Sequence, residues 1–205
     1  GEESMARTMG RVTALEALAL GVHVPFAPVL DVNNNPENPI INVRSFGEDP
    51  GEVARLGAAF VQGVQNAGAI ATGKHFPGHG DTDTDSHLYL PVIDVPRERM
   101  DSMELLPFQV AIDQGIGGIM TAHLSIPSVT GGDGVPSTLS FEVLTRLLRE
   151  EMGFEGLIFT DAMDMYAIDR RHTRGEAAVR ALEAGADVLL MPPDPEAARD
   201  GVVTA

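Results

Sequence analysis

The sequence contains no cysteine and no tryptophan, and only two of its 205 residues are tyrosine. The absence of cysteine excludes disulfide bonds and cysteine-ligated zinc. With so few aromatic rings, we do not expect a long polysaccharide groove lined by stacking side chains. No apolar run approaches the roughly 18 residues of a membrane-spanning helix, so no membrane span is predicted. No signal peptide is predicted either, and nothing in the sequence indicates a compartment.

Basic residues are also scarce, because 14 Lys and Arg stand against 30 Asp and Glu, giving a net charge of -16. Binding to nucleic-acid phosphates needs clustered Lys and Arg, so no nucleic-acid partner is expected. A solvated acidic surface is the simpler interpretation of the charge. Hydrophobic residues are plentiful, at 43%. We therefore predict that residues 1–205 form one domain, or part of one, with a substantial core.

Short apolar runs alternate along the chain with longer segments of helical periodicity. Continuous apolar strands separated by helices predict an α/β fold with a parallel sheet covered on both faces. The runs are VHVPFAPVLDV (22–32), GAIATGKHF (68–76), GGIMTAH (117–123), GLIFTDA (156–162) and ADVLLMP (186–192). The helical segments are residues 4–20, 50–68, 98–115, 140–153 and 174–185.

Polar residues lie near the carboxyl ends of several runs, among them Asp31, His75, His123 and Asp161. Polar groups that converge from several strand ends are typical of a TIM (β/α)8 barrel. Such barrels need eight strands and about 250 residues. The five runs therefore predict an internal portion of a barrel that lacks its first and last strands. An additional domain or chain is expected to complete it.

The segment KHFPGHGDTDTDSH (74–87) concentrates titratable groups in a stretch without helical or strand periodicity. A structureless segment of about twenty residues, which continues towards Arg97, is usually functional or disordered. Asp85 and His87 are close enough in sequence for the carboxylate to orient the imidazole for acid/base chemistry. Taken alone, DTDTDSH is equally consistent with a surface turn whose polar side chains bond their own backbone.

The complete segment resembles the signature of the β-N-acetylglucosaminidase branch of glycoside hydrolase family 3. That signature is K-H-F/I-P-G-H/L-G, four free positions, and then D-S/T-H. The resemblance continues upstream in FAPVLDV and VRSFGEDP, and downstream in IMTAH, EEMGFEGLIFTDAMDM and AGADVLLMP. It therefore covers nearly the whole chain in the family's order, which makes it specific.

The resemblance implies a retaining exo-glycosidase that removes terminal β-linked N-acetylglucosamine through a covalent glycosyl-aspartate. It implies that Asp161 is the nucleophile and that His87, paired with Asp85, is the general acid/base. The residues expected to hold the sugar are Arg44, Lys74 and His75, with Asp31 and His123 expected to line the same site. The implied substrates are small N-acetylglucosaminides, such as chitooligosaccharides or peptidoglycan fragments.

Each of these residues also has a simpler interpretation. Asp161 is well placed to cap a helix that begins at Ala162, and Asp164 is a competing carboxylate. Lys74 and Arg44 are equally typical of a solvated surface. His75 is as typical of a buried, hydrogen-bonded histidine as of a ligand-binding one.

Two other functions are consistent with parts of the sequence. A metal-dependent hydrolase could draw ligands from His75, His79, His123 and Asp161, but the sequence has no HxH or HExxH pair, so no metal and no cofactor is predicted. A partial barrel that binds sugar without turnover, or that needs a partner chain, is the stronger alternative. Because histidine replaces the usual carboxylic acid as proton donor, phosphate would meet less repulsion, and phosphorolysis is an alternative to hydrolysis.

Overall fold

The computed structural model of the chain describes residues 1–83, 89–132, 134–169 and 172–205. In these residues helices alternate with four parallel strands. The strands are β1 (Thr72–Phe76), β2 (Gly118–Thr121), β3 (Leu157–Ala162) and β4 (Val188–Leu190). They form one sheet in the order β1-β2-β3-β4, so each strand pairs with the next one along the chain.

The helices pack around this sheet. They are α1 (Glu3–Ala19), α2 (Pro50–Asn66), α3 (Arg97–Ser102), α4 (Leu106–Asp113), α5 (Pro127–Thr130), α6 (Tyr166–Asp169), α7 (Arg174–Ala184) and α8 (Pro195–Thr204). Short 3-10 helices cover Asn42–Arg44 and Ser137–Leu139, and Glu142–Glu151 is π-helical. Over the described residues, no helix combines the length and the apolar character that crossing a membrane requires.

The predicted α/β fold with a parallel sheet, incomplete as a barrel, is confirmed. Over the described residues the sheet is open, with β1 and β4 as its first and last regular strands. The prediction of five regular strands is wrong for the first run, 22–32, which forms only an isolated bridge between Val29 and Lys74. Pro25 and Pro28 interrupt this run, and since proline has no N–H, it cannot donate to a regular ladder.

The first run nevertheless lies beside β1 and follows it in parallel. The Leu30 N–H donates to the Lys74 carbonyl oxygen (2.6 Å), and the Lys74 N–H donates to the Pro28 carbonyl oxygen (3.1 Å). These bonds place Asp31, the next residue, at the same end of the sheet as Lys74 and His75. The predicted convergence of strand ends is therefore preserved on an irregular backbone.

Helix boundaries follow local capping signals. The Asp49 carboxylate caps α2 by accepting from the Glu52 N–H (2.9 Å), and Thr173 caps α7 in the same way through Glu176. The predicted helix over 98–115 divides into α3 and α4, because Pro107 enters the first turn of α4. Helix α8 was not predicted, although Asp194 caps it and Pro195 occupies its first turn.

The hydrophobic core lies between the sheet and the helices. Strand β2 is buried along its whole length, as expected for a strand covered on both faces. Phe76 at the end of β1 packs edge-to-face on Phe108 of α4, with ring centroids 5.3 Å apart, and both side chains are fully buried. This packing fixes the end of β1, and with it the two residues that precede Phe76.

Candidate active site

A cleft of about 330 Å³ lies at the carboxyl ends of the strands. Its polar lining consists of Arg44, Lys74, His75, His79 and Asp161, and its apolar lining of Phe26, Ile40, Met120, Ala162, Leu190 and Met191. Four residues that the sequence assigned to a sugar site therefore surround one cavity. They come from the 3-10 helix, from β1 and from β3, which are far apart in the sequence.

Asp31 lies behind the cleft and organises it. Its side chain is fully buried and accepts hydrogen bonds from three donors: the His75 N–H (3.1 Å), the His75 ring Nδ1 (2.7 Å) and the His79 N–H (2.6 Å). One carboxylate thus holds the end of β1, the ring of His75 and the start of the following loop. Burial by itself raises the pKa of Asp31, but the electrostatic interactions and hydrogen bonds with His75 and His79 outweigh burial, so the pKa is lowered.

The bonds of His75 define which ring nitrogen carries the proton. Its Nε2 lies 3.4 Å from an Nη2 of Arg44, and a guanidinium can only donate, so Nε2 accepts. The proton is then on Nδ1, which donates to Asp31. Arg44 also donates to the Ile40 carbonyl oxygen (3.0 Å). The ring is therefore fixed from both sides, while Arg44 remains largely exposed to solvent.

Lys74 is the second cation in the cleft and is half-buried. Burial lowers the pKa of its ammonium group, and the charge of Arg44 lowers it further, whereas Asp161 and Asp31 act in the opposite direction. The peptide bond between Lys74 and His75 is cis. Two cations and the Asp161 carboxylate thus line one small cavity, in which charges interact more strongly than in bulk water.

Asp161 lies near the end of β3, where its Oδ1 accepts from the N–H of Ala162 (2.8 Å). The helix-cap interpretation does not apply, because β3 continues to Ala162 and α6 begins only at Tyr166. Asp164, the competing carboxylate, is exposed and does not line the cleft.

His123 is fully buried and is not among the residues that line the cleft. Its Nε2 lies 2.9 Å from the Ala162 carbonyl oxygen, to which it donates, and its Nδ1 lies 2.7 Å from the Thr138 hydroxyl. His123 and Asp31, both expected to line the site, thus lie behind it. From there, His123 holds the backbone next to Asp161 and Asp31 holds the backbone of His75.

The loop that follows β1 is anchored by Asn38, which belongs to no motif in the sequence. The buried Asn38 amide donates to the carbonyl oxygens of His79 (2.8 Å) and Gly80 (3.0 Å). Its own oxygen accepts from the N–H groups of Ile40 (2.9 Å) and Ile41 (2.7 Å). Asn38 therefore ties the segment that carries Arg44 to the loop, and no local pattern in the sequence indicates this long-range contact.

A second anchor lies on the other side of the loop. Arg99 bonds to Asp81 (3.0 Å) and to Glu104 (2.5 Å), which is only 2% exposed. Burial raises the pKa of Glu104, and the charge of Arg99 opposes that shift. Among the described residues the second oxygen of Glu104 has no hydrogen-bond partner. The predicted acid/base residues, Asp85 and His87, lie just beyond this anchored part of the loop and outside the described residues.

The described residues contain no cluster of three or more His, Asp or Glu side chains arranged to hold a metal ion. His75 and His79 are edge-to-face, with ring centroids 6.2 Å apart. The sequence indicates His79 only as a candidate metal ligand. It lines the cleft, and its Nδ1 lies 2.8 Å from the Thr82 hydroxyl. Burial lowers the pKa of His79, although the charge of Asp31 acts in the opposite direction. The lowered pKa favours the neutral form of the His79 ring.

Comparison with known proteins identifies the family. The family model described as "Glycosyl hydrolase family 3 N terminal domain" matches residues 2–204. The chain belongs to glycosyl hydrolase family 3. A curated relative, Beta-hexosaminidase A of Pseudoalteromonas piscicida, is 43% identical over 187 residues, which cover 86% of this chain and 31% of the relative.

Two solved structures show the same architecture. A family 3 beta-N-acetylglucosaminidase from Paenibacillus has a TM-score of 0.97 and 46% identity, over 100% of this chain and 39% of its own. The beta-glucoside phosphorylase BglX, bound to 2FGlc, has a TM-score of 0.95 and 34% identity, over 99% of this chain and 38% of its own. The chain therefore spans roughly a third of the length of these relatives.

Proposed function

We propose that the protein is a retaining exo-glycosidase that removes terminal β-linked N-acetylglucosamine from small substrates. The observation that carries the proposal is that Asp161 lines the same cleft as Arg44, Lys74 and His75. The names of the similar proteins, a beta-hexosaminidase and a beta-N-acetylglucosaminidase, support the same substrate class.

In the proposed reaction, Asp161 attacks the anomeric carbon while His87 donates a proton to the leaving oxygen. The bond between the sugar and the leaving group breaks, and a glycosyl ester forms on Asp161. Neutral His87, oriented by Asp85, then removes a proton from an incoming water, whose oxygen displaces Asp161 and releases the free sugar. Both carboxylate and imidazole return to their initial protonation states.

The other polar residues of the cleft would bind the terminal sugar. Arg44 and Lys74 offer charged donors to hydroxyl and acetamide oxygens, and His75 is held rigidly between Arg44 and Asp31. Rigid hydrogen-bond donors in a confined cavity stabilise the transition state most strongly where charge develops during the reaction. The apolar wall that includes Met120 and Leu190 suits the C–H face of a pyranose. The small volume favours one terminal sugar over a long chain.

Phosphorolysis is a second candidate, favoured by the structural similarity to a beta-glucoside phosphorylase. Phosphate would replace water in the second step and yield a sugar 1-phosphate. An imidazole is uncharged after donating its proton, so it repels phosphate less than a carboxylate would. Product analysis in phosphate buffer separates the two reactions, because free sugar alone at high phosphate excludes phosphorolysis.

The nucleophile is tested by Asp161→Asn, with Asp164→Asn, three residues further along the chain, as the matched control. We expect Asp161→Asn to lower kcat/KM for 4-nitrophenyl N-acetyl-β-glucosaminide by about a thousandfold or more, because the amide cannot form the ester. Asp164→Asn should retain activity within about threefold, since the exposed Asp164 does not line the cleft. Activity that survives Asp161→Asn contradicts the assignment.

The assay should include both this chain and the natural polypeptide that carries it. If neither hydrolyses any N-acetylglucosaminide while N-acetylglucosamine still binds, the non-catalytic alternative replaces the proposal. Mass spectrometry after reaction with a fluorinated N-acetylglucosaminyl donor, which slows release of the ester, should locate the sugar on Asp161.

A further inference from the structure

The two tyrosines of the chain lie together. Tyr89 and Tyr166 have ring centroids 6.1 Å apart with an angle of 57° between the ring planes. Both rings are exposed, Tyr89 at 61% and Tyr166 at 44%. A ring pair buried for stability would shield its apolar faces from water, whereas this pair leaves much of its apolar surface accessible.

Each tyrosine closely follows one of the two proposed catalytic residues in the sequence, Tyr166 after Asp161 and Tyr89 after His87. Tyr166 begins α6, directly after a turn that the Met165 N–H closes by donating to the Ala162 carbonyl oxygen (3.2 Å), and Ala162 lines the cleft. Tyr89 follows the predicted acid/base residue His87 by two positions in the sequence. The pair therefore joins the chain just after the proposed nucleophile to the chain just after the proposed proton donor.

The chemistry of the pair defines what it would bind. The leaving group of a glycosidase departs on the side of the general acid, so the aglycone lies next to that residue. An uncharged aromatic face suits the C–H face of a second pyranose ring, and the phenolic hydroxyls can bond to its hydroxyl groups. The chain as a whole carries a net charge of -16, which disfavours an anionic aglycone.

We propose that Tyr89 and Tyr166 form the platform that binds the aglycone sugar of a disaccharide substrate. This inference rests on the proposed function, because it assigns the terminal sugar to the cleft and the second sugar to the tyrosine pair. The platform makes the protein selective for substrates whose leaving group is itself a pyranose, such as a second N-acetylglucosamine.

The composition of the chain provides a direct readout. Because the chain has no tryptophan and no third tyrosine, its tyrosine emission comes entirely from this pair. The protein is titrated with N-acetylglucosamine and with a sulfur-linked N,N′-diacetylchitobiose, which is not hydrolysed, and calorimetry measures the occupancy. We expect the disaccharide to change the tyrosine emission and the monosaccharide to leave it unchanged.

Two variants test the role of the ring. Tyr166→Leu should bind the disaccharide about tenfold more weakly, while its affinity for the monosaccharide stays at the wild-type value and confirms that the cleft is folded. Tyr166→Phe keeps the ring and should retain the disaccharide affinity. The corresponding Tyr89→Leu variant should show the same selective loss.

Other outcomes contradict the platform. Equal changes in affinity for both sugars, or no change for either, would mean that the pair only holds the end of the loop. If the wild-type protein binds the monosaccharide but its tyrosine emission does not respond to the disaccharide, the platform fails and the proposed function stands. If the wild-type protein binds neither sugar, both fail.

Discussion

Replacing Asp31 by asparagine tests whether one buried carboxylate organises the site. Asn has the same shape but only one acceptor oxygen, whereas Asp31 accepts from three donors on His75 and His79. At least one N–H group would then face the amide nitrogen of Asn without an acceptor. Hydrogen bonds to a charged group contribute about 1.5–3 kcal/mol, and a buried donor left without an acceptor costs about 1–3 kcal/mol, so the combined loss should be about 3–5 kcal/mol.

We therefore expect Asp31→Asn to lower the free energy of unfolding by about 3–5 kcal/mol, measured by urea denaturation at neutral pH. For a domain of this size the melting temperature should fall by about 6–20 °C. Asp94→Asn is the control, since Asp94 is exposed, and it should change stability by less than about 0.5 kcal/mol. The affinity for N-acetylglucosamine should also fall, because the His75 ring loses its orientation.

The pH dependence gives an independent check. The pKa of Asp31 is lower in the folded protein than in the unfolded chain, so the unfolded state binds more protons in acid. The stabilisation is fully present above the unfolded pKa of about 3.9 and is lost as the pH falls through the folded pKa. The difference between wild type and Asp31→Asn should therefore shrink below about pH 4. If the free energies of unfolding of wild type and Asp31→Asn differ by less than about 1 kcal/mol at neutral pH, Asp31 does not organise the site as described.

Two further predictions concern the anchored loop. Gly80→Ala would place a Cβ 1.6 Å from the Val32 carbonyl oxygen, so it should destabilise the protein by about 3 kcal/mol or more in the urea titration. Gly132→Ala is the control and should be close to neutral, because among the described residues no atom beyond its chain neighbours lies within 4 Å of the new Cβ. Arg99→Met leaves the buried Glu104 without its counter-ion, so the pKa of Glu104 should rise further. The free energy of unfolding should then decrease more steeply than in wild type as the pH increases above about 4.5. Arg146→Met is the control, because the side chain of its partner Glu142 is 42% exposed, and it should show wild-type pH dependence. A wild-type pH profile for Arg99→Met would contradict the anchor.

The sequence predicted the features that depend on short-range patterns. Apolar runs located the four regular strands, and the polar residues at their ends located Lys74, His75 and Asp161 around one cleft. This succeeds because parallel strands in an α/β fold present their carboxyl ends on one side of the sheet. The family resemblance added Arg44, which lies in a 3-10 helix that no periodicity indicates.

The sequence did not show which strand-end residues face the cleft and which support it from behind. Asp31 and His123 follow apolar runs just as Asp161 does, yet both are fully buried. The direction in which a side chain points depends on the pleat of the strand and on the local backbone. The prolines of the first run remove the regular pleat around Asp31. The contacts of Asn38 with His79 and Gly80 were beyond prediction because they join segments about forty residues apart.

The strictly sequential order of the sheet has a consequence for how the protein forms. Each strand pairs with the next one along the chain, so no strand has to wait for a distant segment to be synthesised. During synthesis, each new strand of the sheet can therefore pair with the strand made before it, from the amino-terminal side onward. Asp161, the proposed nucleophile, lies on β3 and is synthesised after Arg44 and Lys74, so it is the last of the cleft's charged residues in the described part of the chain to leave the ribosome.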